Sequence, residues 1–412
     1  MRETGRPGPA PRVLISSSTF PIRPDDGLPR FVYDLAEALA RHCPVTALVP
    51  GAPGAPSRER MGGVDVRRFA YFWPRRLERL AYGHGMRDNL RASWWSPLQA
   101  PGFLAAQIRA TRALVAELGI DVVNSHWMVP QGLSAALAGG RRPGFRHVLT
   151  VHAADVYLLR RLPLGGAIAR FVMDRSDAAF ADGSHVRDSL DELLGRESGA
   201  LLQPNGVEVE AFQRAGGAAP EAPFADGYLL FFGRLAEKKG VTYLLRAMPR
   251  VRERHPGLGL VVIGYGALEQ ALRREARELG LGEWVRFLGR QPHAEIGRWL
   301  GAARLAVVPS IVDSRGETEG MPTVVLEAMA SGTRVVGSAV DGIPDVIRHG
   351  ENGWLCRPRD PLDLADKILL ALASEAAGDV ARRARETAEG YAWPRVAGRY
   401  LEVFARVAGA HR

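Results

Sequence analysis

Short apolar runs alternate with stretches of helical periodicity along most of the chain. The first run, at residues 12–21, precedes apolar positions at Phe31, Leu35, Ala38 and Leu39, a spacing typical of a helix. Strands and helices that alternate in this way predict a doubly wound parallel sheet. Further strands are predicted at residues 45–49, 121–127, 147–155, 177–184 and 201–207.

A second alternating series follows a segment rich in alanine, glycine and proline at residues 215–227. Its predicted strands lie at residues 228–233, 258–264, 285–289, 305–310 and 334–337. We therefore predict two Rossmann-like α/β domains, at residues 1–214 and 222–394. A last helix at residues 395–412 is expected to pack back on the first domain.

The stretch at residues 317–332 places two glutamates around the predicted start of a helix. Pro322 suits the first helical position, and Gly332 ends the apolar repeat. Glu319 and Glu327 therefore fall on either side of a helix N-terminus, where free N–H groups and the helix dipole attract an anion. This arrangement suits a ligand with hydroxyls, a diphosphate and further hydroxyls, the order in a nucleotide-sugar. The alternative is an amphipathic helix with one solvated glutamate and one favoured by the dipole.

A second candidate anion site follows the predicted strand at residues 228–233. Arg234 and Lys239 flank the turn after this strand, where two fixed cations can neutralise a diphosphate. The glycines at 264 and 266 lack the third glycine of a dinucleotide fingerprint, so we interpret them as an ordinary turn. A nicotinamide-dependent oxidoreductase is therefore a poor match for the sequence.

Two predicted strands in the first half deliver a histidine at their C-terminal ends. His126, followed by Trp127, ends one strand, and His152 ends the next. Ligands bind beyond the carboxyl ends of strands in open parallel sheets, so these side chains are candidates for ligand contact. For each histidine alone, a structural role is an equal alternative. Gly27, in the loop after the first strand, would let a ligand approach the backbone closely.

Composition narrows the class of protein. The chain has 412 residues, a net charge of +9 and two cysteines that match no metal or disulfide spacing. We find no apolar run long enough to span a membrane, no secretory signal and no nucleic-acid motif. We therefore expect a cytoplasmic protein without a nucleic-acid partner.

Residues 69–103 mix aromatic and basic side chains, with Arg75 and Arg76 following Trp73. Such a mixture is typical of an acceptor-binding surface or of a peripheral contact with the anionic inner face of a membrane. The alternative is a helical hairpin in which the aromatic residues form the core and the arginines face water.

Four motifs together resemble a known family. They are Gly-Arg-Leu-x-x-x-Lys-Gly at 233–240, the glutamates at 319 and 327, Pro-Asn-Gly-Val at 204–207 and Gly-Ile-Pro-Asp-Val-Ile-x-x-Gly-x-Asn-Gly at 342–353. With them the chain resembles the retaining glycosyltransferases of family four, over about residues 12–405. The resemblance implies the GT-B fold, in which two Rossmann-like domains face each other across a cleft. The first domain lies on the acceptor side, and the second binds a nucleotide-sugar donor.

The resemblance also implies roles for single residues. Arg234 and Lys239 would hold the donor diphosphate, and Glu327 would bind the ribose hydroxyls. Glu319 would bind the sugar hydroxyls, and His152 would approach the transferring centre. The donor-binding set further includes Gly27, Gly320, Met321, Pro322 and Thr323, and the acceptor-binding set is His126, Trp127, Arg75 and Arg76.

Two departures from the family pattern concern the first domain. Leu28 follows Gly27 where the family often has a second glycine, which bears on the contact of this loop with donor or acceptor. Ala153 follows His152 where the family often has glycine, which bears on the backbone around the histidine.

The implied activity is the transfer, with retention, of a hexose-type sugar from a nucleotide-sugar to an acceptor hydroxyl. His152, Glu319, Arg234 and Lys239 would be its catalytic residues. Because no Asp-x-Asp motif is present, we expect the cations and the helix N-terminus to stabilise the leaving diphosphate without a metal or other cofactor. The expected acceptor is a glycan, glycolipid or small molecule in bacterial polysaccharide, glycolipid or glycoside assembly. A GT-B nucleotide-sugar epimerase and a non-catalytic nucleotide-sugar binder are the alternatives.

Overall fold

The computed structural model describes residues 10–23, 30–82, 86, 89, 96–140, 144–214, 223–318 and 320–409. By their internal contacts the residues divide into two compact units. The first unit runs to Asp182 and includes Val186–Gln203 and the chain from Trp393 onward, whereas the second contains Gly183–His185 and Pro204–Ala392. The boundary before Pro204 therefore falls earlier than the predicted end of the first domain at residue 214.

The first unit is built on one sheet of eight strands. They are β1 Val13–Ser16, β2 Val45–Pro50, β3 Arg58–Met61, β4 Val64–Phe69, β5 Val122–His126, β6 Arg146–Val151, β7 Ala178–Ala181 and β8 Leu201–Leu202. Their order is β3-β4-β2-β1-β5-β6-β7-β8, and all neighbours are parallel except the edge pair β3–β4.

Helices cover both faces of this sheet. They are Phe31–Ala40, Ser96–Leu118, Leu133–Gly139, Ala153–Arg160, Gly165–Met173, Ser184–Leu194 and Trp393–Gly409, with short helical turns at Arg75–Leu77 and Met128–Gly132. Alternate residues of β1 point to opposite faces, so Val13 and Ile15 pack with the helix Trp393–Gly409, whereas Leu14 packs with the helix Ser96–Leu118. The last helix thus belongs to the core of the first unit.

The second unit is built on a six-stranded parallel sheet. Its strands are β9 Tyr228–Phe232, β10 Gly259–Ile263, β11 Val285–Gly289, β12 Leu305–Val308, β13 Val335–Ser338 and β14 Trp354–Cys356, in the order β11-β10-β9-β12-β13-β14. Its helices are Val209–Arg214, Val241–Arg254, Glu269–Glu278, His293–Ala302, Thr323–Ala330, Ile343–Val346, Pro361–Ala373 and Ala377–Gly390, with a 3₁₀ turn at Glu237–Lys239. Leu229 and Phe231 of β9 enter one core layer, and Leu230 and Phe232 enter the other.

Both sheets reverse their winding direction beside their first strand. In the first unit β1 pairs with β2 on one side and β5 on the other. In the second unit β9 pairs with β10 and with β12. Loops that leave two such strands turn toward opposite faces and open a crevice at their carboxyl ends, which is where ligands bind in this architecture. Ligand contacts are therefore expected in the loops after β1 and β5 and in those after β9 and β12.

The prediction of an α/β fold with two doubly wound parallel sheets is confirmed. Asp360 caps the helix Pro361–Ala373, since its carboxylate accepts the N–H groups of Leu362 and Asp363. The helix after Pro322 begins one residue later than predicted, because Pro322 takes the N-cap position. The helical hairpin considered for residues 69–103 is wrong for residues 69–82, where the helical structure is the single turn Arg75–Leu77.

Candidate active site

The turn after β9 carries the two predicted phosphate-binding cations. Arg234 is exposed and Lys239 is half-buried, at either end of a segment that begins as soon as β9 ends. Lys239 folds back along the turn, since a side-chain carbon on Gly233 would lie 3.9 Å from its Cε. Both cations therefore belong to the same strand end, on the β9 side of the crevice.

The loop after β10 fixes the backbone of this turn. The N–H of Leu235 donates to the carbonyl of Tyr265 at 2.9 Å. Gly264 has φ +146°, and a Cβ there would lie 1.8 Å from the carbonyl oxygen of Gly233, so a larger residue is excluded. The glycines interpreted as an ordinary turn thus act as packing positions that hold the Arg234 loop.

The loop after β12 is joined to the same turn. Ile311 donates its N–H to the carbonyl of Lys238 at 2.9 Å, and the ammonium of Lys238 donates to the carbonyl of Thr318 at 3.4 Å. The carboxylate of Glu237 accepts from Ser314 N–H at 2.8 Å and from its hydroxyl at 2.7 Å. These bonds hold the pKa of Glu237 below its usual value. The two loops beside the crevice of the second unit therefore form one hydrogen-bonded structure.

The helix Thr323–Ala330 begins at the end of this loop. Its apolar side is buried, and among the described residues no side chain caps its N-terminus, where the N–H of Val325 donates to the carbonyl of Pro322 at 3.1 Å. Gly320 is held in place because its carbonyl accepts the N–H of Gly342 at 2.9 Å, and Met321 is buried. The predicted donor-binding residues from 320 to 323 thus lie at a helix N-terminus on the β12 side of the crevice. Glu319 and Gly27 lie outside the described residues.

Glu327 lies in the second turn of this helix beside a histidine that the sequence did not suggest. Its carboxylate is 3.7 Å from Nε2 of His293, with the Glu327 side chain 15% exposed and that of His293 61% exposed. The His293 ring packs edge-on against Phe212, with ring centroids 4.9 Å apart. The sequence does not reveal this pair, because His293 starts the helix His293–Ala302, which precedes β12, whereas Glu327 lies in the helix that follows β12.

In the first unit, three polar side chains meet at the ends of neighbouring strands. His126 ends β5, His152 follows β6, and Asp182 follows β7. Nε2 of His152 is 3.2 Å from Nδ1 of His126, and Nδ1 of His152 is 2.9 Å from a carboxylate oxygen of Asp182. All three are buried, being 1%, 5% and 5% exposed respectively. Sequence inspection proposed the two histidines but missed Asp182, although it ends a predicted strand in the same way.

A second buried carboxylate fixes the backbone around this cluster. Asp155 accepts the N–H of His152 at 3.1 Å and also the N–H of Met128. Asp155 thus fixes the backbone at His152 with Ala153 as the following residue. Trp127, predicted on the acceptor side, has φ +69° and packs against His152 with ring centroids 4.9 Å apart.

Burial displaces the pKa of several groups near the cluster. Loss of solvation, together with the neighbouring His152, holds the pKa of His126 well below its usual value, so the ring stays neutral. Burial lowers the pKa of His147 to about 4, and Ser125 and Ser176 hydrogen-bond its ring at 2.6 and 3.1 Å. Burial raises the pKa of Asp155 to about 6, against the opposing effect of the N–H groups that it accepts.

The remaining predicted acceptor residues lie on the surface of the first unit. Arg75 and Arg76 are exposed in the turn Arg75–Leu77, beside Trp73, which is 85% exposed. Within the described ranges we find no cluster of three side chains that could hold a metal ion, and no helix long and apolar enough to cross a membrane.

The two crevices are chemically distinct. The second unit offers fixed cations, open N–H groups and a carboxylate, which suit an anion with hydroxyls attached. The first unit offers a buried imidazole and carboxylate cluster, which suits a neutral polar group. Two doubly wound α/β units with strand-end sites of this kind fit the fold class expected from the sequence.

Comparison with known proteins identifies the family. A domain model described as Glycosyltransferase Family 4 matches residues 26–211, and one described as Glycosyl transferases group 1 matches residues 219–390. The phosphatidyl-myo-inositol mannosyltransferase of Mycolicibacterium smegmatis is 32% identical over 321 residues, which cover 75% of this chain and 77% of that protein. The glycogen synthase of Mycobacterium tuberculosis is 29% identical over 296 residues, with 69% and 68% covered. The chain belongs to the glycosyltransferases with the GT-B fold.

Solved structures support the same fold. The sucrose-phosphate synthase from Thermosynechococcus elongatus superposes with a TM-score of 0.75 at 21% identity, covering 97% of this chain and all of that one. The Anabaena protein HepE, solved in complex with UDP and glucose, superposes with a TM-score of 0.67 at 16% identity and covers 96% of this chain.

Proposed function

We propose that the protein is a retaining glycosyltransferase of family four that moves a hexose from a nucleotide-sugar to an acceptor hydroxyl. The observation that carries the proposal is the junction of two loops in the second unit. Arg234 and Lys239 follow β9, and the helix Thr323–Ala330 comes after β12, the strand paired with β9 across the crevice; Glu327 lies one turn into that helix. The relatives add support, since their names include a mannosyltransferase and a glycogen synthase.

The chemistry follows from where charge develops. The bond from the sugar to the diphosphate breaks, and the diphosphate leaves with an additional negative charge. Arg234, Lys239 and the helix N–H groups lie on loops whose backbones are hydrogen-bonded before the reaction, so they can stabilise this charge with little reorganisation. In the front-face path that the family suggests, the acceptor oxygen attacks on the side from which the phosphate departs, and the phosphate oxygen can take the acceptor proton. Neither Glu319 nor Glu327 then serves as a covalent nucleophile.

A donor panel tests this proposal. Melting temperature is measured with UDP-, GDP-, ADP- and TDP-sugars, because a ligand that binds the native state raises it. The stabilising donor is then incubated with glycan, glycolipid and small-molecule acceptors, and the anomeric configuration of the product is read by NMR. Retention supports the proposal, and inversion contradicts the proposed path. Donor turnover without any acceptor favours the epimerase, and donor binding without turnover favours the non-catalytic binder.

We propose further that transfer needs no divalent metal. The leaving diphosphate already has two fixed cations and a helix N-terminus in its proposed site. Activity is therefore expected to survive EDTA at least in part. Complete loss that one divalent ion restores would overturn the proposal.

We propose an acceptor carried on a lipid phosphate at the inner membrane face. The surface turn Arg75–Leu77 and its neighbours support it: Trp73 and Leu77 are 85% and 43% exposed, and Arg79 is exposed beside them. The acidic member of this segment, Glu78, is buried and accepts the N–H of Tyr71 at 2.7 Å. The outward charge of the turn is therefore positive, with aromatic and aliphatic groups beside it, as at an anionic lipid surface.

Co-sedimentation with vesicles tests the membrane contact. The wild type is compared with a variant in which Arg75, Arg76 and Arg79 become Ser, on anionic and neutral vesicles at low and high salt. A control variant changes three exposed arginines of the second unit, Arg274, Arg277 and Arg383, to Ser. Salt-sensitive binding to anionic vesicles that only the first variant loses supports the proposal, because screening acts within about 8 Å at physiological salt. The proposal is contradicted if the first variant binds anionic vesicles as well as the control variant does. It is also contradicted if the wild type does not bind them.

A further inference from the structure

Trp127 has a backbone conformation that its bulky side chain disfavours. Its φ of +69° and ψ of +139° lie outside the regions that residues other than glycine ordinarily occupy. Such a conformation is costly and persists only where the surrounding groups enforce it. It turns the chain at the carboxyl end of β5, between His126 and the helical turn Met128–Gly132. The groups that hold the peptides around Trp127 therefore decide whether this turn keeps its shape.

Hydrogen bonds from three directions enforce the turn at Trp127. The N–H of Trp127 donates to the carbonyl of Thr150 at 3.0 Å, and the carbonyl of Trp127 accepts the N–H of Gly132 at 3.0 Å. The carbonyl oxygen of His126, on the peptide that precedes Trp127, faces the side chain of Gln131. The first two bonds are between backbone groups, so any sequence could make them. The third depends on the identity of residue 131.

Gln131 is fully buried, and one orientation of its amide satisfies both of its neighbours. With the nitrogen toward His126 the amide donates to that carbonyl at 3.2 Å, and its oxygen accepts the N–H of Ser18 at 3.0 Å. The opposite orientation would set oxygen against oxygen and N–H against N–H. Because a buried polar group without a partner costs free energy, the first orientation is the one that the fold selects. Gln131 thus joins the peptide before Trp127 to the loop that follows β1.

We infer that Gln131 is a positioning residue, which holds the strained turn at Trp127 and fixes the loop after β1 against it. These two segments leave β1 and β5, the paired strands beside which the first sheet forms its crevice. The centroid of the Trp127 ring lies 4.9 Å from that of His152 and 5.9 Å from that of Phe31. Gln131 therefore sets where this indole stands at the crevice. That the turn serves the acceptor rests on the proposed function, whereas the two hydrogen bonds of Gln131 do not.

The alternative is that Gln131 only stabilises the interior of the first unit, and Gln107 is the matched control for it. Gln107 is equally buried, and its amide donates to the hydroxyl of Ser16 at 2.8 Å and accepts that of Ser134 at 3.0 Å. These bonds do not involve the turn at Trp127. Gln131→Met and Gln107→Met each keep the length of the side chain and remove two buried hydrogen bonds, so both are expected to lower the stability of the unit. An effect on the position of Trp127 distinguishes them.

Fluorine NMR of protein labelled with 5-fluorotryptophan reads the position of the indole without donor or acceptor. The Trp127 signal is identified by its loss in Trp127→Phe. It is expected to shift or broaden in Gln131→Met, because the turn relaxes, and to keep its wild-type position in Gln107→Met. A Trp127 signal that is unchanged in a folded Gln131→Met variant, or that moves equally in both variants, overturns the inference.

Hydrogen exchange of the wild type gives a second reading that does not depend on the folding of a variant. The side-chain amide protons of Gln131 should exchange slowly with water, because the group is buried and donates to a carbonyl. The exposed amide of Gln270 is the reference for fast exchange. Exchange of the Gln131 amide as fast as that of Gln270 overturns the inference.

Transfer kinetics test the part that rests on the proposed function. Gln131→Met is expected to raise the KM for the acceptor about tenfold or more, because small displacements of a positioned group are costly. The Kd for a nucleoside diphosphate should stay at the wild-type value, and Gln107→Met should change the acceptor KM less. An acceptor KM that is equal in the wild type and in Gln131→Met contradicts a role of the turn toward the acceptor. A wild type without any transfer would instead refute the proposed function, and the fluorine spectra would still decide the role of Gln131.

Discussion

The candidate sites of the two units are built in opposite ways. In the first unit, His126, His152, Asp155 and Asp182 are all at most 5% exposed and bond to one another or to nearby backbone. In the second, the cations at the end of β9 lie on a loop, where Arg234 is exposed, and the surrounding bonds run between backbone and loop side chains. The first site lies in the interior of its unit, whereas the second lies on exposed loops that follow the strands of its sheet.

Because of this difference, the first site should contribute to the stability of the fold and the second to ligand binding. A buried polar group that loses its partner costs free energy whether or not a ligand is present. An exposed cation contributes little to folding, and its contribution appears when a phosphate arrives. Substitutions in the first unit should therefore be detected in unfolding experiments, and those in the β9 loop in binding experiments.

The largest effect is expected for Asp155→Ala. The change leaves the buried N–H groups of Met128 and His152 without an acceptor, at about 1–3 kcal/mol each. Hydrogen exchange of the first unit should accelerate accordingly, with the second unit unchanged. Asp360→Ala, which removes a cap at the surface of the second unit, is the matched control and should have a smaller effect. If Asp155→Ala and Asp360→Ala lowered the stability of their units equally, the proposed distinction between the two sites would be wrong.

The next effect concerns pH and His147. Its pKa is lowered from 6.5 to about 4, so the folded state resists protonation. Its contribution to stability is therefore complete above about pH 6.5 and is lost as pH falls toward 4, up to about 3 kcal/mol. Unfolding free energy is measured between pH 7 and 4 for the wild type and for His147→Gln. The free energy of unfolding of the wild type should fall toward that of His147→Gln as pH falls across this window. A difference between the two proteins that stays constant with pH would contradict the lowered pKa of His147.

Lys239→Ala should act mainly on ligand binding. Removal of one charge-assisted contact to a diphosphate weakens binding by about 1.5–3 kcal/mol, roughly 10- to 150-fold in Kd. The melting temperature without ligand should change little, since charges near the surface contribute weakly to folding. Lys367→Ala, which removes the same charge from the helix Pro361–Ala373, should change neither quantity.

The smallest effect is expected for Glu237→Ala. Glu237 contacts no proposed ligand group but accepts two bonds from Ser314, which tie the loops after β9 and β12 together. Its loss loosens the loop that carries the cations, so the KM for the donor should rise by a few-fold, since exposed interactions are weak. An effect as large as that of Lys239→Ala would mean that Glu237 itself contacts the donor.

The pattern of apolar runs predicted the two sheets because parallel strands buried on both faces read as continuous apolar segments. It missed three strands: the edge strand β3, Arg58–Met61, where three of the four residues are charged, its neighbour β4, Val64–Phe69, and the edge strand β14, Trp354–Cys356. The cations, the helix after Pro322 and the strand-end histidines were predicted because each depends on local sequence. Their partners were not, since the pairing of His152 with Asp182 requires β6 to lie beside β7, and that of Glu327 with His293 requires two helices to converge.

The central claim is that the diphosphate of the donor is bound by the second unit and not by the histidine cluster of the first. Calorimetric titration of a nucleoside diphosphate, without its sugar, tests this claim most directly. The Kd should rise at least about tenfold in Lys239→Ala and stay at the wild-type value in His126→Asn and in Lys367→Ala. Wild-type affinity in a folded Lys239→Ala variant, or equal weakening in His126→Asn, would contradict the account.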